Sequence, residues 1–270
     1  MLYRLMNSVA AGLVIATASL GLASSASASL LTPAYEAQLS TWLGQGSLTF
    51  TNIYSAGTGD ANFNSFDWHD AVDGKGATFT LIEVPSGTYT TIDSNFGNHP
   101  VEVEISQSII GGYNPLSWDA NLDTFNIANS DSERTAFIYN LSTNVLLREI
   151  LSTDVNDPFG NGTSYGQFQT FNAPSYGPTF GGGLDLYTSS DFSFAQNYPY
   201  SFGTTQGPGL FGTLNNGQYP GYVFGFRAAT VETYTFSATE SVPEPSTITL
   251  IGIALLSLLG FGVMHKRAEA

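Results

Sequence analysis

The chain has 270 residues, of which 42% are hydrophobic and only 11% charged; it has no cysteine, and its formal net charge is −15. The hydrophobic content excludes wholesale disorder, and the missing cysteines exclude disulfide frameworks, thiolate metal sites and cysteine nucleophiles. The acidic excess excludes nucleic acid and disfavours anionic lipid surfaces as partners. Its 29 glycines and 12 prolines indicate short strands joined by many turns.

The first 28 residues have the three parts of a secretory signal peptide. Arg4 supplies the positive charge, and residues 9–23 are small and apolar. Ala26 and Ala28 then fit an A-x-A site for signal peptidase. The sequence therefore predicts removal of residues 1–28 on export, with an uncleaved membrane anchor as the alternative.

Two short helices are predicted near the start of the body. For the first, Thr32 can cap the N-terminus, Pro33 suits the first helical position, and Gly44 can end the helix. A second helix is predicted from Phe63 to Ala71, with Asn62 as its cap.

Strands dominate the rest of the body. Val101, Val103 and Ile105 alternate with polar residues, which is typical of a half-buried strand. Residues 135–150 indicate a hairpin with its turn at Ser142–Asn144, and residues 221–228 and 231–238 indicate two further strands. The Gly-, Asn- and Pro-rich region from 203 to 221 is predicted as one long loop.

The body contains no alternation of long helices with strands, which disfavours a parallel sheet. The predicted fold is mainly β: an antiparallel β-sandwich with a few short peripheral helices. We expect a single domain over residues 29–240.

The body is strongly acidic. Residues 29–242 contain four cationic side chains and 20 carboxylates, so their formal net charge is −16.

The order of these segments resembles a TLDc domain over nearly all of residues 31–237. The most specific blocks are Asp73–Gly76, Gly111–Tyr113 with Trp118, and Gly177–Gly183 with Asp185–Tyr187. The resemblance implies a β-sandwich of two antiparallel sheets surrounded by helices. TLDc domains occur mostly inside eukaryotic cells, in oxidation-resistance proteins and regulators of the proton-pumping ATPase. They have no settled enzymatic mechanism, so the resemblance implies none for this chain.

Residues 88–108 depart from the TLDc pattern, in which only a few residues stand at this point. The segment carries Asp93, Glu102 and Glu104. We expect it to be a local elaboration of the surface.

The C-terminal region, residues 241–270, resembles the PEP-CTERM sorting signal of exported bacterial proteins. Pro243, Glu244 and Pro245 precede residues 247–264, which carry no charge and would span about 27 Å as a transmembrane helix. The basic cluster at 265–267 places the last residues in the cytoplasm. A buried core helix is the alternative. The resemblance implies processing by an exosortase, in an envelope often rich in exopolysaccharide.

One candidate metal site lies in the body. Asp119, Asn121 and Asp123 have the alternate spacing with which an EF-hand begins. Thr124 and Ser130 occupy positions that need glycine and a bidentate glutamate, so a complete EF-hand is excluded. The sequence therefore predicts no cofactor, with an irregular calcium site of oxygen ligands as the alternative.

A second candidate site is aromatic. Tyr198 and Tyr200 can stack on sugar rings from a loop, with core packing as the equal alternative. Gly181–Gly183 are expected to serve tight turns or close packing rather than phosphate binding. For His69, a satisfied and partly buried side chain is the favoured interpretation over a metal ligand.

These patterns together predict an exported protein of the cell envelope or extracellular matrix that acts as a non-catalytic binding module. Signal peptidase and exosortase would process it, and exopolysaccharide or surface proteins would be its ligands. One rival is a polysaccharide-modifying hydrolase, which needs a cleft with two carboxylates of separated pKa. The other rival is a self-assembling structural component of the matrix.

Overall fold

A computed structural model describes residues 28–93, 99–153, 165–192, 195–197, 200–203, 209–211 and 222–239. Within these residues the chain forms two α-helices, α1 (Pro33–Leu43) and α2 (Ser65–Val72), and a 3₁₀ turn at Asp131–Glu133. The strands are β1 (Leu48–Gly57), β2 (Thr78–Val84), β3 (Gly87–Asp93), β4 (His99–Ile105), β5 (Ser108–Asn114), β6 (Thr124–Ile127), β7 (Phe137–Asn140), β8 (Val145–Arg148), β9 (Phe168–Asn172), β10 (Leu186–Thr188), β11 (Ala195–Asn197), β12 (Tyr222–Phe226) and β13 (Thr230–Ala238).

The strands form antiparallel sheets, which confirms the predicted mainly-β class. A six-stranded sheet has the order β1-β13-β2-β5-β7-β8, and a five-stranded sheet has the order β10-β11-β12-β3-β4. Strands β6 and β9 form a separate pair. The pairings between named strands are all antiparallel in the described part of the chain.

The main core combines apolar side chains of both large sheets. Ile82 and Val231 from the six-stranded sheet belong to one buried cluster with Val103 and Phe226 from the five-stranded sheet. Such a shared core is what a β-sandwich requires, because each sheet must bury one apolar face.

Helix α1 covers the opposite face of the six-stranded sheet. Leu39 is fully buried there with Phe79, Phe137 and Tyr139, and Leu43 packs at the edge of the same cluster. Because β2 faces one core on each side, nearly all of its residues are buried.

The first helix agrees with its prediction. The Thr32 hydroxyl accepts the backbone N–H of Tyr35 at 3.3 Å, Pro33 opens the helix, and Gly44 ends it with a left-handed backbone, φ 75°. Each residue does what its chemistry favours at that position.

The predicted start of the second helix was wrong by two residues. Asn64, not Asn62, is the cap, since its side chain accepts the backbone N–H of Asp67 at 3.0 Å. The carbonyl of Asn62 instead accepts the hydroxyl of Tyr54 at 2.7 Å. A contact from the preceding strand, β1, therefore holds Asn62 in the turn before the helix.

Two strand predictions are confirmed in detail. Residues 135–150 form the β7-β8 hairpin. In β4, Val103 and Ile105 are buried while Glu102 and Glu104 are exposed. The segment that departs from the TLDc pattern forms the β3-β4 hairpin, which extends the five-stranded sheet beside β12.

Several predictions fall outside the described residues. These are Ala26 with the rest of residues 1–27, most of the predicted loop at 203–221, and residues 240–270 with Pro243, Glu244, Pro245 and the predicted span at 247–264. Within the ranges that the structure describes, no helix is long and apolar enough to cross a membrane.

Candidate functional site

Seven half-buried aromatic residues lie around the β6-β9 pair, and we call them the aromatic stripe. Its members are Phe125, Tyr165, Phe168, Phe171, Tyr176, Tyr187 and Tyr200. A partly exposed aromatic ring can offer apolar surface to a ligand while the rest of the ring packs on the protein. The stripe is therefore the natural candidate for a binding surface on this body.

The rings of the stripe contact one another in series. Phe125 lies 4.9 Å from Phe168 and 4.7 Å from Phe171, measured between ring centroids. Phe171 lies 5.0 Å from Tyr176, which lies 5.4 Å from Tyr187.

The other end of the stripe is a tyrosine pair. Tyr165 and Tyr200 meet edge to face with centroids 4.7 Å apart. These distances are those of favourable aromatic pairs, so the rings support each other's orientation.

Two glycines join this tyrosine pair to the phenylalanines. A Cβ atom on Gly182 would lie 2.5 Å from the ring of Phe168, and one on Gly183 would lie 2.4 Å from Cβ of Tyr200. Neighbouring Gly181 has a positive φ of 82°. The glycines therefore serve a turn and close packing, as the sequence predicted, and they bring Phe168 and Tyr200 onto adjacent positions.

Asp185 holds the loop that presents Tyr200. Its Oδ2 accepts the backbone N–H groups of Tyr200, Ser201 and Phe202 at 2.5, 2.6 and 3.0 Å. Complete burial raises the pKa of this carboxyl to about 7, although the three N–H donors act in the opposite direction. Asp185 thus positions a stripe residue without reaching the surface itself.

Glu149 is a second buried carboxyl near Asp185. Burial raises its pKa to about 9, against the lowering effects of the Ala136 N–H and the Arg134 charge. Its Oε2 accepts the Ala136 N–H at 3.0 Å. Arg134 in turn donates to the Ile150 carbonyl at 2.6 Å. Glu149 and Asp185 are 4% and 0% exposed, so neither lies in an open cleft.

The predicted calcium residues form a turn at the edge of the stripe. Asp119 Oδ1 accepts both the backbone N–H and the side-chain amide of Asn121, at 3.0 and 3.1 Å. Asp123 is exposed and has a positive φ of 46°. Within the described part of the chain, no three His, Cys, Asp or Glu side chains are grouped to hold a metal ion. Calcium binding at this turn stays a prediction.

The predicted calcium turn contacts strand β9. Asp119 donates its N–H to the Asn172 side chain at 3.1 Å, and Asn172 follows stripe residue Phe171 in β9. The backbone of the turn is therefore held against the strand that carries Phe171. Tyr198 lies outside the described residues.

His69 has the satisfied environment that the sequence favoured, and it is more deeply buried than expected at 4% exposure. Its Nδ1 lies 2.7 Å from Asp73 Oδ1, and its Nε2 lies 3.0 Å from the carbonyl oxygens of Ala173 and Tyr176. The ring therefore connects α2 to the loop that carries stripe residue Tyr176.

Tyr165, Tyr176, the phenylalanines of the stripe and both buried carboxyls were not predicted as site residues. Asp185 stands between Leu184 and Leu186, and a lone carboxylate in an apolar stretch is a usable signal of burial, whereas Glu149 follows Arg148 and gives no such signal. The Phe125–Phe168 and Tyr165–Tyr200 contacts left no signal, because they join segments far apart in the chain.

The comparisons with known proteins concern the C-terminal segment. No curated protein matches the chain. Residues 241–267 match the family model of the PEP-CTERM protein-sorting motif. That motif makes the chain an exported protein of the cell envelope that an exosortase sorts and processes.

Proposed function

We propose that the body of this exported protein is a non-catalytic module that binds neutral polysaccharide of the cell surface through the aromatic stripe. The observation that carries this proposal is the series of contacting half-buried rings from Tyr187 to Phe168, next to which Gly182 and Gly183 bring the Tyr165–Tyr200 pair. Sugar rings stack on such faces through their C–H groups. The net charge of the body disfavours anionic ligands.

The phenols of the stripe add hydrogen-bonding groups at its edge. Burial raises the pKa of Tyr187, and the neighbouring Tyr176 and Asp191 act in the same direction. The phenol is therefore neutral in ordinary buffers and can both donate to and accept from sugar hydroxyls.

We also propose that the body is a TLDc-like domain. Three of the blocks that carry this resemblance meet in the fold. Gly74 donates its N–H to the Trp118 carbonyl at 3.1 Å, and Trp118 packs edge to face on Phe180 at 5.5 Å. The blocks on which the resemblance rests therefore lie side by side in one core.

A hydrolase is the rival function. Glu149 and Asp185 have separated pKa values, which is the signature expected of an acid and base pair. Glycoside hydrolysis, however, needs both carboxyls at an open cleft that admits the sugar. Both are buried here, and Asp185 already accepts three backbone N–H groups. The geometry therefore favours binding over catalysis.

The test is co-sedimentation of residues 29–242 with exopolysaccharide from the source organism, with cellulose and chitin as neutral standards. Tyr176→Ala and Tyr200→Ala should each weaken binding about two- to tenfold, the value of one aromatic contact. Tyr35→Ala is the matched control, since it removes a half-buried tyrosine from α1 beyond the other face of the six-stranded sheet. It should leave binding unchanged.

Two further readouts separate the rival functions. Release of reducing sugar during the incubation would establish a hydrolase and overturn the non-catalytic role. Concentration-dependent assembly without any polysaccharide would instead favour the structural matrix component. Repeating the sedimentation in EDTA tests calcium, because loss of binding would implicate oxygen ligands such as Asp119 and Asp123.

A further inference from the structure

Glu232 is a buried carboxylate whose hydrogen-bond partners are uncharged. It lies in β13 and is 3% exposed. Its Oε2 accepts the hydroxyl of Tyr234 at 2.5 Å and the backbone N–H of Leu30 at 2.9 Å. Its Oε1 accepts the hydroxyl of Ser55 at 3.4 Å. A buried carboxylate without a cation is costly, so this site favours a positive charge.

The cationic side chains of the body lie elsewhere. Arg134 pairs with Asp131 at 3.3 Å, and Arg148 donates to the Trp42 carbonyl at 2.7 Å. Lys75 and Arg227 are exposed. Within the described ranges, the ion pairs are His69–Asp73 and Arg134–Asp131, and Glu232 takes part in neither.

The segment that follows the predicted signal peptide lies directly on this carboxylate. The Ser29 hydroxyl is 2.7 Å from the Tyr234 oxygen and 3.3 Å from Glu232 Oε2. The next backbone nitrogen, of Leu30, bonds the same Oε2. Because successive backbone nitrogens are at most about 3.7 Å apart, the nitrogen of Ser29 lies within about 7 Å of Glu232 Oε2.

We propose that hydrolysis of the Ala28–Ser29 peptide bond creates the counter-ion of Glu232. One water is consumed: its oxygen enters the new carboxylate of Ala28, and its two protons end on the Ser29 nitrogen, which becomes an ammonium group. That ammonium group then pairs with the Glu232 carboxylate. In the precursor, the same nitrogen is an uncharged amide.

The site is thus a receptor for an N-terminus whose first residue has a small hydroxyl side chain. It binds both the α-ammonium group and the hydroxyl of that residue. The Ser29–Tyr234 bond selects the hydroxyl, and Glu232 selects the charge. The inference rests on the removal of residues 1–28 proposed for export, and it is independent of polysaccharide binding. It makes processing at the N-terminus a step that completes the fold.

The first test compares two forms of the chain Ser29–Ala270 in detergent. One form has a free Ser29, released from a fusion by a protease that leaves no extra residue, and the other is Nα-acetylated at Ser29. We expect the acetylated form to melt at least about 2–4 °C lower, the shift that corresponds to about 1 kcal/mol in a chain of this size. Equal melting temperatures would overturn the proposal.

The variant Glu232→Gln completes a double-mutant cycle with acetylation of Ser29. Acetylation should no longer change the melting temperature of this variant. Glu102→Gln, which changes an exposed carboxylate on β4, is the control and should keep the full effect of acetylation. An acetylation effect that persists in Glu232→Gln would assign the stabilisation to another partner.

A second measurement uses the unchanged chain, so it does not depend on whether a variant folds. The rate of reductive methylation of the Ser29 α-amino group, followed by peptide mass spectrometry against pH, gives its pKa. We expect a midpoint at least about one unit above the ordinary 7.7–8.0, because the carboxylate favours the charged form. An ordinary midpoint would contradict the pairing, as would an exported protein whose first residue is not Ser29. Neither readout involves polysaccharide, so failure here leaves the binding proposal intact.

Discussion

The ring of Phe180 fills the space in which a side chain on Gly112 would stand. A Cβ atom at Gly112 would lie 2.5 Å from Cζ and 2.6 Å from Cε1 of that ring. Phe180 is fully buried and also packs on Trp118. Packing of the core between the sheets therefore requires a glycine at this position of β5.

Gly112→Ala should destabilise the protein by about 1–3 kcal/mol, the usual cost of overpacking a tightly filled core. Urea unfolding measures the difference. Gly87→Ala is the matched control, since Gly87 is also a strand glycine but its Cβ would meet the Tyr89 ring at an ordinary 3.6 Å. Similar losses for the two variants would show that strand propensity, and not contact with Phe180, sets the cost.

Asp73→Ala should lower the free energy of unfolding by about 1–3 kcal/mol, because it leaves His69 Nδ1 and the Ala120 N–H without their acceptor. Asp73→Asn should lose less, since an amide can still accept from Ala120. Asp70→Ala, an exposed carboxylate in the same helix, is the control and should stay within about 0.5 kcal/mol of the unchanged protein. Equal losses at Asp70 and Asp73 would contradict the role of this contact.

Glu149 predicts a pH dependence with a definite sign. Its pKa is about 9 in the folded chain against 4.5 for the ordinary side chain. Between these values the folded chain binds more protons than the unfolded chain, so the free energy of unfolding falls as pH rises. Glu149→Gln removes this contribution, and its stability relative to the unchanged protein should therefore increase steadily from pH 5 to pH 9.

Urea unfolding at pH 5, 7 and 9 tests this prediction. Glu102→Gln, at an exposed position of β4, should give a curve parallel to that of the unchanged protein. The assignment to Glu149 fails if Glu149→Gln also gives a parallel curve.

Thr32→Ala should cost about 1 kcal/mol, because it removes the side-chain acceptor of the Tyr35 N–H at the start of α1. Thr41→Ala is a demanding comparison in the same helix. Thr41 is exposed and its hydroxyl bonds the Ala37 carbonyl one turn earlier, so alanine there should be neutral or slightly stabilising. Thermal unfolding of both variants decides whether capping or helix propensity dominates α1.

Features that depend on neighbouring residues could be predicted from the sequence. Thr32 and Gly44 bound a helix through contacts made within one turn, and Val103 and Ile105 face the core because side chains alternate along a strand. The turn at 142–144 follows for the same reason. In each case the physical cause lies within a few residues.

Features that depend on distant contacts were missed. The start of α2 was misplaced because Asn62 and Asn64 are both suitable caps, and only the fold shows that the Asn62 carbonyl accepts the hydroxyl of Tyr54. Asp185 acquires its role only when residues 200–202 fold over it, and Tyr165 meets Tyr200 across 35 positions of sequence. Spacing along the chain contains no information on such pairings.

The position of β13 determines how force enters the fold. This strand is hydrogen-bonded to β1 from Thr230 to Ala238 on one side and to β2 from Thr230 to Tyr234 on the other. The Thr239 N–H donates to the Ser47 carbonyl at 2.8 Å just before the chain continues toward the sorting motif. A pull on that C-terminal segment directed along the axis of β13 would load the hydrogen bonds on both sides of this interior strand in shear and together, rather than opening them one after another from an edge.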